Sequence, residues 1–502
     1  MSSEAVKKKS LNILPIEAPL RGESDFLQAL NWSDDSNNKQ PRALRGLARI
    51  VDGGLCHRCG SCVGICPTGV LGLDERSFPK ISNLSACTDC NWCVKVCPGD
   101  EVDYEELYQQ KFGEQPDWKN THGKFQRALL AYSTDSDLRE KSTSGGLVTG
   151  ILLHLMKTGQ IDGAVVIASD ETTLWKGKPI IARTPEELLS ATKSKYAISP
   201  TNSVFSEIAQ VEGRYALVGL PCQLHGFEKA AQLDQRLKER VVLTVGLFCH
   251  AAIDHEAFEI IWESLGNKAL GAKRFVSRIG KHPGAPHIEL ADGTLYPVYF
   301  GDKRGFRPSS MEMINVLYRL YTPDRCLTCF DALAEFADIS VGDPWMAPPD
   351  QGIDFKDGYS FALVRTERGM QVLSQLESAS TIGVKDLTQR EALACNKHMA
   401  SEKRWRAFRV IETHKRQGKS VPSYGPHGLQ LPQHSGKTFF QTERNVLTHI
   451  FCFIPKYRAS ILRFFLGQGG YCLLWVNNKR RRFKVWTRDF ISAVRRKLFG
   501  RK

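Results

Sequence analysis

Eight cysteines fall in two runs of one pattern, Cys56-x-x-Cys59-x-x-Cys62-x-x-x-Cys66-Pro67 and Cys87-x-x-Cys90-x-x-Cys93-x-x-x-Cys97-Pro98. This is the spacing of two-cluster bacterial ferredoxins, written twice. Three thiolates from one tight loop grip three irons of a 4Fe–4S cubane, and the fourth cysteine, ahead of its proline, reaches the other cubane. The pattern therefore assigns one cluster to Cys56, Cys59, Cys62 and Cys97, and a second to Cys87, Cys90, Cys93 and Cys66. Zinc knuckles or a disulfide framework are the competing readings. Zinc, however, needs neither a third cysteine in each loop nor a Cys-Pro ending each run. The expected chemistry is one-electron transfer.

Four further cysteines stand where apolar runs end. Cys222 follows the run 215–220 in Gly219-Leu220-Pro221-Cys222-Gln223, and Cys249 ends the run 241–248. Cys326-x-x-Cys329 comes just before another such run, 337–341. Open α/β sheets gather ligands outside the carboxyl ends of their strands, so these thiolates could meet there and hold a third 4Fe–4S cluster. Buried free thiols, a redox pair or half a zinc site are alternatives that spacing alone leaves open. His225 and His250 follow the Cys222 turn and Cys249, as proton donors or as braces for the cysteines. Cys395, Cys452 and Cys472 have no comparable setting.

Ser144-Gly145-Gly146 opens an apolar helix over 147–156. Amides left free at such a start suit the phosphates of a nucleotide, although Ser-Gly-Gly is also an ordinary helix cap. No G-x-G-x-x-G follows a strand, which disfavours a Rossmann NAD site. Gly467-Gln468-Gly469-Gly470 lacks that context as well.

Positioning these groups calls for an α/β chain, α+β overall. It reads as a two-cluster ferredoxin-like domain, then an α/β domain, then a basic amphipathic helical tail. The 502 residues, 42% hydrophobic, are ample for several packed units. The pattern divides into a polar arm at 1–47, with a short helix at 25–30, and the ferredoxin-like domain at 48–100. A linker at 101–125 with one short helix follows, then the α/β domain at 126–410, a Pro/Gly-rich linker at 411–445 and the tail at 446–502. Apolar runs predict strands at 128–132, 164–168, 215–220, 241–248, 337–341 and 360–365, a hairpin around Asp292-Gly293, and a helix at 369–376.

The net charge of +14 belongs to one end: residues 446–502 hold 14 Lys/Arg against the single acid Asp489. A nearly neutral body argues against a nucleic-acid groove. In the tail, Phe483, Trp486, Phe490, Val494 and Leu498 recur every three or four residues beside Arg488, Arg495, Arg496 and Lys497. Such a helix would lie on an anionic membrane surface or dock on an acidic partner subunit. The uncharged run 464–478 is too short for a span. With no signal-like start and eight cysteines given to clusters, the expected location is cytoplasmic, peripheral on the inner membrane face where the tail binds lipid.

Together these motifs resemble the beta-subunit family of coenzyme F-420 hydrogenases and dehydrogenases, which includes ferredoxin-dependent vinyl reductases and hydroxymethyl-chlorophyll reductases. The matching stretches are Ser144-Gly-Gly-Leu-Val-Thr149, Gly159-Gln-Ile-Asp-Gly-Ala-Val165, Ala182-Arg-Thr-Pro185, Lys195-Tyr196 with Ser199-Pro-Thr-Asn202, Gly219-Leu-Pro-Cys-Gln223 and Gly246-Leu-Phe-Cys249. Cys326-x-x-Cys329 through Glu335-Phe-Ala-Asp-Ile-Ser-Val-Gly-Asp343 completes the set. The resemblance covers about 126–400, leaves out the tail, and departs from the family's Ser-Pro-Asn by Thr201. It implies a flavoprotein whose FAD is held by Ser144, Gly145, Gly146 and Thr149 and by Lys195, Tyr196 and Asn202. It also implies that Cys222, Cys249, Cys326 and Cys329 bind a cluster beside that flavin.

The expected activity is an FAD- and iron–sulfur-dependent oxidoreductase. Its partners would be ferredoxin or another one-electron carrier and a small-molecule acceptor, either a deazaflavin coenzyme or a conjugated organic substrate. The competing expectation is a non-catalytic electron-transfer subunit of a larger complex.

Overall fold

The structure, a computed structural model, describes residues 41–280, 284–299, 310–345, 358–429 and 457–477, with single positions from 479 to 487. The helix expected at 25–30 and most of the amphipathic pattern of 483–498 lie outside these residues.

The first unit is built on two copies of one loop. Helix α1 (Arg42–Asp52) buries Leu44, Leu47 and Ile50 against Val70, Leu71, Cys93 and Cys97. Two one-turn helices, α2 (Ser61–Gly64) and α3 (Trp92–Lys95), each carry the third cysteine of a run. Strands β1 (Leu71–Leu73) and β2 (Pro79–Ile81) pair antiparallel between them. The sequence repeat is also a backbone repeat: Arg58 and Asp89 share a left-handed conformation, and so do Gly60 and Asn91. Two such residues per loop curl it tightly enough to turn successive cysteines inward.

Helix α4 (Tyr104–Phe112) follows, capped by Asp103, whose carboxylate accepts from the Glu106 amide at 3.1 Å. The segment 101–125 was expected to be a linker. It is core instead, because Tyr104, Leu107 and Tyr108 are buried against Phe330 and Phe336.

The strands expected from apolar runs are present: β3 (Arg127–Ser133), β4 (Gly163–Ser169), β6 (Tyr215–Gly219) and β7 (Val241–Leu247), with β5 (Gly177–Ala182) added beside β4. A hairpin sheet of β8 (Ala272–Ile279), β9 (Ala285–Leu290) and β10 (Leu295–Pro297) turns at Asp292-Gly293, also as expected. Then come β11 (Ile339–Gly342), β12 (Ser360–Val364) and β13 (Ile382–Asp386).

The large sheet runs β13-β3-β12-β11-β7-β6-β4-β5. Its centre, β4, β6, β7 and β11, is parallel, and both margins are antiparallel. Parallel strands are covered on both faces, which accounts for the wholly buried β6; β12, antiparallel to β11 and β3, lies inside the sheet and is wholly buried too. Helices α5 (Leu147–Lys157) and α6 (Pro221–Leu233) belong to opposite-facing cores. Helices α7 (His255–Leu265) and α8 (Ser310–Tyr321) close over the hairpin sheet. Beyond α9 (Asp324–Leu327) and α10 (Glu367–Ser378), the long helix α11 (Lys397–Arg416) returns across the molecule. It extends into the segment 411–445 that was read as a linker. Further on in that segment, Ser423 exchanges backbone hydrogen bonds with Asp100 and Val102, and Tyr424 is buried.

Candidate functional site

The eight N-terminal cysteines form two groups, and each group mixes the runs. Burial pushes the Cys56 thiol up to about 12, with Cys97 and then Cys59 adding to it. Burial raises Cys62 too, with Cys56, Cys97 and Cys59 as its nearest charged neighbours in effect. The Cys93 thiol is pushed to about 12 by burial, then by Cys66, Cys90 and Cys87. Cys97 thus lies among the cysteines of the first run, and Cys66 acts on Cys93 of the second. One cavity is lined by Cys56, Cys59, Cys62 and Cys97 together, beside Pro98 and Gly99.

Every described cysteine is a free thiol, which removes the disulfide framework for those residues. Among the described residues no group of three or more His, Cys, Asp or Glu closes on a single metal ion. Each thiol of a cubane binds a different iron, so sets of four cysteines suit 4Fe–4S clusters by number and by chemistry.

The core cysteines converge from three segments. The turn after β6 brings Cys222 and is held by Gln223, whose Oε1 accepts from the Leu220 amide at 2.7 Å while its Nε2 donates to Ser199 O at 3.0 Å. Cys249 leaves β7, and its amide donates to Ala332 O at 2.9 Å, which ties it to the Cys326–Cys329 loop. The Cys222 thiol is raised first by burial, then by Cys59, Cys329, Cys326 and Cys249. The backbone ties bring Cys249 to the Cys326–Cys329 loop, and Asn202 brings the Cys59 loop to the Cys222 turn, with its backbone amide donating to Cys59 O at 2.9 Å.

Three buried cations surround this set, and none was expected from the sequence. Lys403 Nζ donates to Cys249 O at 2.7 Å and Asp331 O at 2.6 Å. Burial opposes its charge, yet Cys329, Cys249 and Asp331 hold its ammonium above the usual range. Arg325 donates to Pro98 O at 3.0 Å and Gly99 O at 2.9 Å, beside Cys97 on one side and Cys329 on the other. Arg406 donates to His250 O at 3.2 Å and Cys326 O at 3.4 Å. Arg325 could have been suspected, since it directly precedes Cys326. Lys403 and Arg406 lie in a helical basic run that reads equally well as a solvated face.

The two histidines are braces. His225 is buried and its Nε2 lies 3.2 Å from Asp331 Oδ2. His250 Nε2 lies 3.3 Å from Arg406 Nη1.

The residues assigned to FAD divide. Gly145 sits where a Cβ would be 2.4 Å from Ala131 O, so only glycine lets the chain lie this close to the paired strands β3 and β12. Gly146, at φ 77°, starts α5 with no side-chain cap, leaving the first amides of an eleven-residue helix unclaimed by side chains. Thr149 belongs to that first turn. Ser142 Oγ lies 3.3 Å from where a Gly146 Cβ would stand, buried and without a hydrogen-bond partner. A bare amide end beside a buried orphan hydroxyl fits a phosphate-bearing nucleotide. Ser144 itself donates its hydroxyl to Tyr359 O.

Lys195 and Tyr196 belong to the same neighbourhood. The Ser194 amide donates to Thr143 Oγ1 at 2.9 Å, and Lys193 Nζ to Ser142 O at 2.6 Å. Lys195 Nζ is committed to three carbonyls, those of Ala191, Thr192 and Lys193, and burial lowers its ammonium to about 7. Tyr318 stands against His250, the residue after Cys249, with ring centroids 5.3 Å apart, and burial raises its hydroxyl.

Asn202 is not part of this cradle. Its Nδ2 donates to Ser61 Oγ and Gln223 O, both at 2.8 Å, and its amide donates to Cys59 O at 2.9 Å. Placed after the extra Thr201, it rivets the first cysteine loop to the Cys222 turn. Of the remaining cysteines, Cys395 is buried, Cys472 is exposed and Cys452 lies outside the described residues.

The chain is similar to several known proteins. Residues 128–206 match the family model described as "Coenzyme F420 hydrogenase/dehydrogenase, beta subunit N-term", and 212–390 its C-terminus counterpart, together about half of the chain. Residues 55–102 match a 4Fe-4S dicluster domain. The coenzyme F420-dependent sulfite reductase of Methanocaldococcus jannaschii is 26% identical over 68% of this chain and 49% of its own length. The coenzyme F420 hydrogenase subunit beta of Methanosarcina barkeri is 26% identical over 61% of this chain and 97% of its own. The 7-hydroxymethyl chlorophyll a reductase of Oryza sativa is 24% identical over 46% of each. The chain thus spans about half the length of the sulfite reductase and nearly all of the hydrogenase subunit. A chain of the F420-reducing [NiFe] hydrogenase complex of Methanosarcina barkeri superposes with a TM-score of 0.47 at 24% identity, over 61% of this chain and 98% of that one. The chain is a member of the coenzyme F420 hydrogenase/dehydrogenase beta-subunit family that carries a 4Fe-4S dicluster domain ahead of the family core.

Proposed function

We propose that the chain is an iron–sulfur flavoprotein oxidoreductase that passes electrons between a ferredoxin-type carrier and a two-electron acceptor. The observation that carries this reading is the Asn202 bridge: its backbone amide donates to Cys59 O at 2.9 Å and its side chain to Gln223 O at 2.8 Å, which holds the first ferredoxin-like loop against the Cys222 turn. Bound 4Fe–4S clusters would supply single-electron transfer, and bound FAD would exchange electrons in pairs with an organic acceptor.

The chain's own residues supply order and shelter. Cys90 is exposed, so the Cys66, Cys87, Cys90 and Cys93 group is the side open to a carrier protein. Cys56, Cys59, Cys62 and Cys97 lie inward, next to the core set. Tyr318 and Tyr196 lead from there to the α5 amide end, where the flavin phosphates would rest. Lys403, Arg325 and Arg406 balance the negative charge of the core thiolates, which are buried or only partly exposed. His225, Asp331 and Gln223 fix the loops. Relatives named for coenzyme F420 and for 7-hydroxymethyl chlorophyll a frame the acceptor class as a deazaflavin or a conjugated ring system.

Anaerobic purification tests the reading directly. Iron and acid-labile sulfide equivalent to three clusters, bound flavin, and turnover of such an acceptor with reduced ferredoxin are expected. A colourless, iron-free protein would sink it. A second reading, an electron-transfer subunit of a larger complex, is favoured by the relatives named as subunits. Flavin reduction without turnover of any acceptor would select that one.

A further inference from the structure

The described end of the chain differs from the rest of the surface. Eleven large apolar side chains stand exposed among the described residues, and six of them fall between 457 and 483: Tyr457, Phe464, Leu473, Trp475, Val476 and Phe483. Single exposed apolar residues are normal on any protein, but a concentration marks a contact surface.

The geometry shows how the concentration arises. Helix α12 (Arg458–Leu466) is followed by a second helical stretch, Gln468–Asn477, bent from it by 76°. One face of the pair is used: Leu462 and Leu474 are buried with Met313, Leu317 and Tyr321 of α8 and Phe258 and Ile261 of α7. Arg458 pairs with Glu256, and Arg463 with Glu263 at 3.1 Å, which fastens α12 along α7. The pair therefore lies on the body of the protein. Among the described residues no single helix is long and apolar enough to cross a membrane. Phe464, Leu473 and Val476 are about half exposed, at 51–55%, and Trp475 at 37%.

The charge beside this face is positive. Lys479 Nζ is 5.5 Å from the centre of the Trp475 ring, and Arg480 follows it, exposed. Residues 446–502 hold one acid among 14 basic residues. Two copies of so basic a region repel one another, which disfavours a second chain as the cover. An apolar face edged by cations, with a tryptophan at the boundary, complements an anionic bilayer.

We propose that this face seats the protein on an anionic membrane surface. Phe464, Leu473, Trp475 and Val476 enter the acyl boundary, and Lys479 and Arg480 meet lipid phosphates. The redox groups lie elsewhere in the fold, so seating leaves them intact.

The test uses the full-length, cluster-loaded protein and co-sedimentation with phosphatidylglycerol or phosphatidylcholine vesicles. Binding to phosphatidylglycerol vesicles, at least tenfold stronger than to phosphatidylcholine and weakened by salt, is expected. The combined variant Phe464→Ser, Leu473→Ser, Trp475→Ser and Val476→Ser should lose at least tenfold in binding, with unchanged iron content and circular dichroism. Lys479→Glu with Arg480→Glu should abolish the lipid preference. Three results would overturn the proposal. They are failure of the wild type to bind anionic vesicles, which would leave the face to a protein partner; undiminished binding by the serine variant; and a lipid-free dimer that the serine variant dissociates.

Discussion

The Cys66, Cys87, Cys90 and Cys93 group and the Cys222, Cys249, Cys326 and Cys329 group present the same four thiols in opposite surroundings. The first is assembled almost within one loop, with Cys90 open to water. Its neighbour Asp89 is spent on capping, accepting from the Ala43 amide at 2.7 Å. The second is gathered across more than a hundred residues and is ringed by Arg325, Lys403 and Arg406, all at most 2% exposed. Water can screen the negative charge of the first. In the second, with no thiol as open as Cys90, fixed cations take over more of that task, because a charge that water reaches less depends more on pairing and hydrogen bonds. The loop and α11 are thus two answers to one electrostatic demand.

The largest expected contrast comes from removing one thiol from each set. Cys249→Ser should lose about four irons per chain and lower stability by about 3–5 kcal/mol, because the cations would then be buried without their counter-charges. Cys90→Ser should lose similar iron with a much smaller change in stability. Equal melting shifts for the two, measured anaerobically, would break the comparison.

Lys403→Met comes next, with a loss of about 3 kcal/mol. In a redox titration followed by electron paramagnetic resonance, one cluster signal should move to more negative potential, since an added electron loses a nearby cation. The signals of the ferredoxin-like groups should hold their place. A uniform shift of every signal would mean that Lys403 acts through the fold instead.

The two matched loop positions sharpen the comparison further. A Cβ on Gly60 would meet Pro200 O at 2.6 Å, whereas Asn91, its counterpart at φ 64°, already carries one in the open. Gly60→Ala should cost about 1–3 kcal/mol through overpacking. Asn91→Gly should stay within about 0.5 kcal/mol. Urea unfolding of both variants checks the difference.

The smallest effect is on the acid limb. Burial holds the His255 imidazole down to about 4, with Ile198 O accepting from it and Arg58 opposing its charge. Its neutral burial therefore adds stability that is complete above about pH 6.5 and is lost as pH falls through about 4. His255→Gln should flatten stability between those limits without changing iron content, as followed by urea melts across pH 4–7.

What could be read in the chain divides along the same line. Cys56–Cys97 is a local pattern, so its spacing already implied the crossed grouping that the fold displays. The parallel strands showed as apolar runs because both of their faces are covered. The short margin strand β13 and the burial of Tyr104 and Tyr424 escaped notice, since they depend on partners far along the chain. For the same reason Lys403 looks like any surface lysine until α11 is laid across Cys249. The core cysteines were visible as strand-end residues, but their meeting could be inferred only from resemblance. Asn202 shows the limit of that inference: one inserted residue, Thr201, accompanies an amide that serves the cysteine loop and not the helix end.

That amide also bears on how such proteins can be recombined. With Ser61 and Cys59 on one side and Gln223 on the other, Asn202 makes the ferredoxin-like segment a fitted part. A segment transplanted from another protein would bring its cysteines and fold its own loops. Unless it also offered a hydroxyl at position 61 and a bare position at Gly64, where a Cβ would lie 2.1 Å from Asn202 O, it could not seat. The wire and the core are therefore expected to be inherited together, as one unit of exchange.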